Sequence, residues 1–205
     1  DLTELLEDQL RVLGPDHPYT LTARFNLARW RGQAGDAAGA ASSFAELLED
    51  ELRVLGSDHP ESLNTRHHLA RWRGESGDAA GAANALAQLL EDMVRVLGPD
   101  HPDTLATRFN LARLRSDLGD AAGARASLDR VLEDMVRALG ANHPAIFSVR
   151  HLLARWRGEA GDAAGAVDTL AQLLEDMVRV LGQDHPTIAA TREELLRWRE
   201  EGGVQ

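Results

Sequence analysis

The chain has 205 residues, a formal net charge of −11, no cysteine, and 22 basic residues that are all arginine. Without cysteine there are no disulfides, thiolate metal sites or cysteine nucleophiles, and without lysine there is neither Schiff-base chemistry nor a phosphate-loop lysine. The acidic balance argues against general affinity for nucleic acid or an anionic membrane, no apolar run approaches the roughly 20 residues that span a bilayer, and the charged opening from Asp1 to Asp8 is not a signal peptide, so a cytoplasmic location is the expectation.

The phrase Leu-Gly-x-Asp/Asn-His-Pro starts at Leu13 and returns every 42 residues, at Leu55, Leu97, Leu139 and Leu181. A second phrase, Gly-Asp-Ala-Ala-Gly-Ala, keeps the same beat from Gly35, Gly77, Gly119 and Gly161. A fixed period of this size marks a stacked repeat array with one core shared between neighbours. In chain order, residues 1–17 supply a half repeat, 18–59, 60–101, 102–143 and 144–185 are full repeats, and 186–205 form a terminal helix and tail. The expectation is a single array over 1–205.

Within the first full repeat, Pro18 stands where a first helical residue tolerates proline. His17 or Asp16 is then the N-cap, with Asp favoured by general preference. Leu21, Phe25, Leu27, Ala28 and Trp30 follow at helical spacing. Gly35 closes the helix and Asp36 caps the next. The second helix runs to about Leu55 with Phe44, Leu47, Leu48, Leu52 and Leu55 on its inner side. Each repeat is therefore an antiparallel pair of helices, of about 16 and 19 residues, roughly 24 and 28 Å long. Small residues at Ala28, Gly39 and Ala40 recur and let the two backbones approach. Toward the C-terminus Met93, Met135 and Met177 replace Gln9 and Glu51, either as tighter packing between repeats or as an apolar patch on the back. The last helix gains Glu193, Glu194, Glu200 and Glu201, a polar end of the kind an array needs. The N-terminal helix has no such cap, which suggests either further chain upstream or self-association through that helix.

Charge is sorted by helix type. Arginine recurs on the first helices in three columns, headed by Arg24, Arg29 and Arg31, while Glu49-Asp50 and its equivalents recur on the second helices. Arg24 and Arg31 are seven apart and share a face, and Arg29 points away from both. The regular Arg24 and Arg31 columns suit ion pairs with the Glu-Asp columns of adjacent second helices. Around Arg29 the neighbours change from copy to copy: Phe25 becomes His67, Phe109 and His151, and Asn26 becomes His68, Asn110 and Leu152. Such variation among near-copies is what a surface reading a non-repetitive ligand needs, although drift on an unused surface produces it as well.

Candidate chemistry is thin. The five histidines of the His-Pro links lie on successive helix pairs, which pack about 8–10 Å apart, too far to share a metal whose nitrogen ligands sit near 2 Å. The carboxylates form repeated columns rather than a unique pair with opposed pKa values. No glycine-rich phosphate loop and no cofactor motif is present. Neither enzyme activity nor a metal or cofactor is expected.

Asn26-Leu27-Ala28, Gly35-Asp36 and Ala40 resemble the tetratricopeptide signature of small and apolar residues around a Gly-Asp turn. The 42-residue length and the Leu-Gly-x-Asp-His-Pro link resemble the longer repeat of kinesin light chain, and Thr107-Arg108-Phe109-Asn110-Leu111-Ala112-Arg113 resembles repeats attached to signalling NTPases of actinobacteria. The resemblance covers nearly the whole chain. It departs where the family has aromatics near Arg24 and Arg31; here the large residues are Trp30, Trp72, Trp156 and Trp198, with Leu114 in the third copy. It implies an all-α, right-handed superhelical solenoid of about ten helices, with the first helices lining a concave groove. It also implies a bacterial protein-interaction module, the sensor or docking part of a larger signalling protein. The groove positions it designates are Phe25, Asn26, Arg29, His67, His68, Arg71, Phe109, Asn110, Arg113, His151 and Arg155. Their chemistry fits an acidic or extended peptide; a structural scaffold or self-associating array without a peptide ligand is the alternative.

Overall fold

Proline at the first helical position and the histidine before it set where each odd-numbered turn of the chain becomes helix. In the computed structural model, which describes residues 2–203, there are ten helices and no strand among the described residues. They are α1 (Leu2–Leu13), α2 (Pro18–Gln33), α3 (Ala37–Val54), α4 (Pro60–Glu75), α5 (Ala79–Val96), α6 (Pro102–Asp117), α7 (Ala121–Leu139), α8 (Pro144–Glu159), α9 (Ala163–Leu181) and α10 (Pro186–Gly202). The chain divides into two units, Asp1–Leu118 with α1 to α6 and Gly119–Gln205 with α7 to α10. Within each unit every helix packs on its sequence neighbour, and first-type helices also touch one another: α2 with α4, α4 with α6, and α8 with α10.

The N-cap of each first-type helix is the histidine, not the aspartate before it. His17 is extended (φ −73°, ψ 137°), as a residue preceding proline must be, and its Nδ1 accepts the amide hydrogen of Tyr19 at 3.2 Å. His59, His101, His143 and His185 repeat the arrangement. Asp16 is otherwise engaged, accepting two hydrogen bonds from Arg53 at 2.7 and 2.8 Å, and Asp58 does the same with Arg95.

The turn between the helices of a repeat is as expected in its backbone. Gly35 has φ +98°, and the amide of Asp36 reaches back to the carbonyl of Arg31, the left-handed helix ending that favours glycine. Asp36 then caps α3 by accepting from the Gly39 amide at 2.8 Å. Arg31 donates to Asp36 itself, and Arg157 to Asp162. At these two positions the Arg31 column therefore pairs with the capping aspartate rather than with the Glu-Asp column. The Arg24 column does meet that column: Arg24–Asp50, Arg66–Asp92 and Arg150–Asp176 pair at 2.7, 2.9 and 2.7 Å, joining the two helices of one repeat.

Packing follows the helical period with one displacement. Phe44 and Leu47 are fully buried, but Leu52 is 42% exposed and Glu51 only 2%. At about 100° per residue, Glu51 lies within about 20° of Phe44 around the helix and Leu52 about 80° away. Geometry thus puts the carboxylate at the centre of the inner face. Met93, Met135 and Met177 fill the equivalent place in the other repeats, all at most 5% exposed, so the methionine column is packing and not a surface patch. The tryptophans close the contact between consecutive first-type helices. Trp72 lies on Gly32 and Trp198 on Gly158, so closely that a Cβ at either glycine would run into the ring. Both rings are 5% exposed, whereas Trp30, preceded only by a second-type helix, is 39% exposed.

Candidate functional site

The face built by α2, α4 and α6 in the first unit carries most of the expected groove residues. Between α4 and α6 it holds a concavity of about 480 Å³ lined by Asn64, His67, His68, Arg71 and Glu75 of α4 and by Asp103, Phe109, Asn110 and Arg113 of α6. Asn64, His68, Arg71 and Glu75 share one face of α4 because they are spaced by three or four residues.

His67 is buried and links α4 to α6. Its Nδ1 lies 2.8 Å from Thr107 Oγ1 and its Nε2 lies 3.1 Å from Asn110 Nδ2. Thr107 already donates its hydroxyl hydrogen to the Asp103 carbonyl at 2.8 Å. The consistent assignment is therefore Nδ1–H donating to Thr107 while Nε2 accepts from the Asn110 amide. With both nitrogens engaged, His67 holds the groove floor together, and Asn110 keeps its other groups toward the groove.

His68 turns the other way. Its ring stacks on Phe44 (centroids 5.3 Å, 14° between planes) and meets the edge of Phe25 at 5.0 Å. Phe25 also packs edge-on against Phe44, so this phenylalanine is part of an aromatic cluster shared by α2, α3 and α4. The Nδ1 of His68 is buried without a hydrogen-bond partner.

Electrostatics separate these residues from their surroundings. Burial pushes the His68 pKa down to about 3, helped by His67, Arg71 and Arg29. Burial and Arg71 push His67 down to about 4. Every charged group acting on the two rings is a cation. Among the described residues no carboxylate pairs with Arg29 or Arg71; the Nε of Arg29 is buried without a partner, and Arg71 lies 4.8 Å over the Trp72 ring. Arg113, in contrast, is met by Glu75 at 3.0 Å. Asn26 is half-buried on α2, one turn before Arg29.

The second unit repeats the scaffold with a different charge. His151 on α8 reaches Thr191 of α10 at 3.3 Å, as His67 reaches Thr107. Glu194 stands where the first unit has Asn110. Burial lowers the His151 pKa, Glu194 opposes that, and Arg155 adds to it. Arg155 lies 3.4 Å from Glu159, and Leu152, in the His68 position, is buried. Of the residues lining the groove, the sequence reading passed over Glu75, visible as the i+4 neighbour of Arg71. Among the described residues no group of three or more histidine, aspartate or glutamate side chains could hold a metal, and no helix is long and apolar enough to cross a membrane.

Paired helices on a fixed 42-residue beat, joined by His-Pro and Gly-Asp turns, define a helical-hairpin repeat protein. Residues 62–103 and 104–145 each match the tetratricopeptide repeat family, and the structural neighbours of the chain are kinesin-light-chain-like repeat proteins. Its fold is similar to that of the kinesin light chain nearly identical TPR-like repeats of Podosopora anserina, at 29% identity and a TM-score of 0.71, over 91% of this chain and 89% of that one. It is similar as well to BtubC (BKLC) from P. vanneervenii, with a TM-score of 0.78 at 20% identity, over 98% of this chain and 82% of that one. No curated protein matches the sequence. Repeats of this family generally serve protein interaction or scaffolding.

Proposed function

We propose that this chain is a non-enzymatic docking module that holds an acidic, extended peptide across α2, α4 and α6, as the sensor or partner-binding part of a larger cytoplasmic, bacterial signalling protein. The observation that carries this reading is the pair of uncompensated guanidiniums, Arg29 and Arg71, beside two neutral, buried histidines. A carboxylate arriving there gains charge-assisted hydrogen bonds without displacing a protein carboxylate from either arginine. Asn64 and Asn110 supply amides for a peptide backbone, and Phe109 supplies an apolar contact. Arg113 is a weaker anchor because Glu75 already neutralises it. The test is binding of an array of acidic, neutral and basic peptides to the full chain at two salt concentrations. Acidic peptides should be retained selectively and lose affinity as salt screens the contact; indifference to peptide charge would sink the assignment.

A second reading, self-association, is favoured by one observation. Trp30 is 39% exposed, whereas its equivalents Trp72 and Trp198 are buried against a glycine of the preceding first-type helix. The equivalent of that glycine on α10 is Glu200, which suits water better than an indole. A head-to-tail stack is therefore disfavoured, and a two-fold contact through α1 and α2 is the form self-association would take. Light scattering across a concentration range separates a monomer from such a dimer.

A further inference from the structure

Counting charges and donors in the first-unit groove says more about the anion than its sign. The Phe25–His68 contact (centroids 5.0 Å) brings α2 against α4, with Arg29 one turn beyond Phe25 and Arg71 one turn beyond His68, and no carboxylate is among the groups acting on the His68 ring. Glu75 is spent on Arg113, and Asp103 lies 3.8 Å from His101. Two full positive charges thus remain on adjacent repeats, next to an aromatic cluster of Phe25, Phe44 and His68 that offers no counter-charge. One carboxylate cancels only one of them. A phosphoryl group carries about −1.5 to −2 charges and three acceptor oxygens, enough for both forks at once, and arginine is suited to bidentate contact with such a group.

We infer that the Arg29–His68–Arg71 cluster is a subsite for a phosphorylated side chain of the bound peptide, with one guanidinium from each of two adjacent repeats on the phosphoryl oxygens. The inference rests on the peptide-groove reading above and narrows it. Asn64, four residues before His68 on the same face of α4, is placed to hold the peptide backbone beside that side chain. The site also carries its own reporter. A phosphoryl anion next to His68 opposes the combined effect of burial and the two arginines, so occupancy moves the ring's titration upward.

The experiment uses the full chain and three fluorescein-labelled peptides of the sequence Asp-Ala-X-Ala-Asp, with X serine, glutamate or phosphoserine, measured by fluorescence anisotropy. The phosphoserine peptide is expected to bind about tenfold more tightly than the glutamate peptide, one additional charge-assisted contact. Arg29→Gln and Arg71→Gln should each remove that gain, whereas Arg73→Gln, on another face of α4, should preserve it. Circular dichroism confirms that each variant folds. In parallel, imidazole NMR should show the His68 resonance titrating at higher pH with the phosphoserine peptide bound. Equal binding of the glutamate and phosphoserine peptides overturns the phosphoryl subsite and leaves the acidic groove standing. Binding of none of the three overturns both. Inorganic phosphate that competes as strongly as the phosphopeptide overturns the peptide part of the assignment.

Discussion

The two units use one scaffold to opposite electrostatic ends. In the first, a buried histidine on α4 spans to Thr107 and Asn110 of α6; in the second, His151 on α8 spans to Thr191 of α10, beside Glu194. In the second unit Arg155 is met by Glu159 and Arg197 by Glu194, whereas in the first Glu75, the counterpart of Glu159, reaches Arg113 and leaves Arg71 without a carboxylate among the described residues. Among the described residues, most of the buried polar atoms without a partner are also in the first unit, the Nδ1 of His68 and the Oε2 of Glu51 among them, against the Nε of Arg155 in the second. The second unit has Leu152 and two methionines at the corresponding places. Polar groups that lower stability gather where the groove is cationic, the pattern expected where binding rather than packing dictates residue choice.

The largest expected effect falls on affinity. Replacing both Arg29 and Arg71 by glutamine should weaken acidic-peptide binding by about 100-fold or more, since hydrogen bonds to charged groups are worth about 1.5–3 kcal/mol each. Arg155→Gln in the second unit should leave it nearly unchanged. Titration calorimetry of the variants checks this, and equal losses from the two units would erase the contrast.

Asn110→Glu imports the second unit's carboxylate into the first. It should lower acidic-peptide affinity about tenfold through like-charge repulsion and raise the pKa of His67, read by imidazole NMR. The reciprocal Glu194→Gln should depress the titration of His151 further.

Stability should depend on pH more steeply in the first unit. His67 and His68 are held neutral, with folded pKa values of about 4 and about 3 against 6.5 for the free side chain. Between those limits the unfolded chain binds more protons than the folded one, so stability falls as pH drops from about 6.5 toward 4. Hydrogen exchange at pH 7 and pH 5 should show α4 losing protection, and His67→Gln with His68→Gln should flatten the trend. Glu51 works in the opposite sense. Burial raises its pKa, so its penalty is present at neutral pH and fades as the pH falls through that raised value.

The smallest expected change is Glu51→Met, which gives the first repeat the residue of the later ones. It removes a buried, incompletely bonded carboxylate and should stabilise α3 and α4 by about 1–3 kcal/mol, measured as slower exchange of their amides. Loss of protection there would show that Glu51 is better satisfied than its surroundings indicate.

Most of the helix plan was legible because it is written twice, in the period and in the turn chemistry. Pro18, Gly35 and Asp36 fix local conformations whatever lies around them. Sequence reading went astray where a rule about type met a rule about angle. Asp outranks His as an N-cap in general, yet Arg53 claims Asp16 and leaves the His17 ring to the amide of Tyr19. Leu52 is apolar and Glu51 is not, yet the helical period places Glu51 inward. Trp30 has the same spacing as Trp72 but lacks the glycine of an earlier first-type helix, a difference of neighbour that no local pattern records. The groove was legible as a set of variable positions beside invariant arginines. Which arginines stay unpaired was not, because it depends on the reach of Glu75 to Arg113 across two helices.

The Arg24–Asp50 pairing, repeated as Arg66–Asp92 and Arg150–Asp176, joins residues 26 apart and so always closes inside one repeat. The Gly-Asp turn likewise closes within a repeat, whereas the Asp16–Arg53 and Asp58–Arg95 clasps each tie a repeat to the link that precedes it. Each such repeat thus fastens its own two helices with a charge pair, and at Trp72 on Gly32 and Trp198 on Gly158 it meets its neighbour as an aromatic plate on a glycine seat. A gene encoding such units can lengthen or shorten by unequal recombination without stranding a buried charge. The identity of Leu86–Gly98 with Leu170–Gly182 fits such an exchange. New specificity then requires only that one first-type helix be rewritten on its groove side, while the fastening between helices is inherited whole.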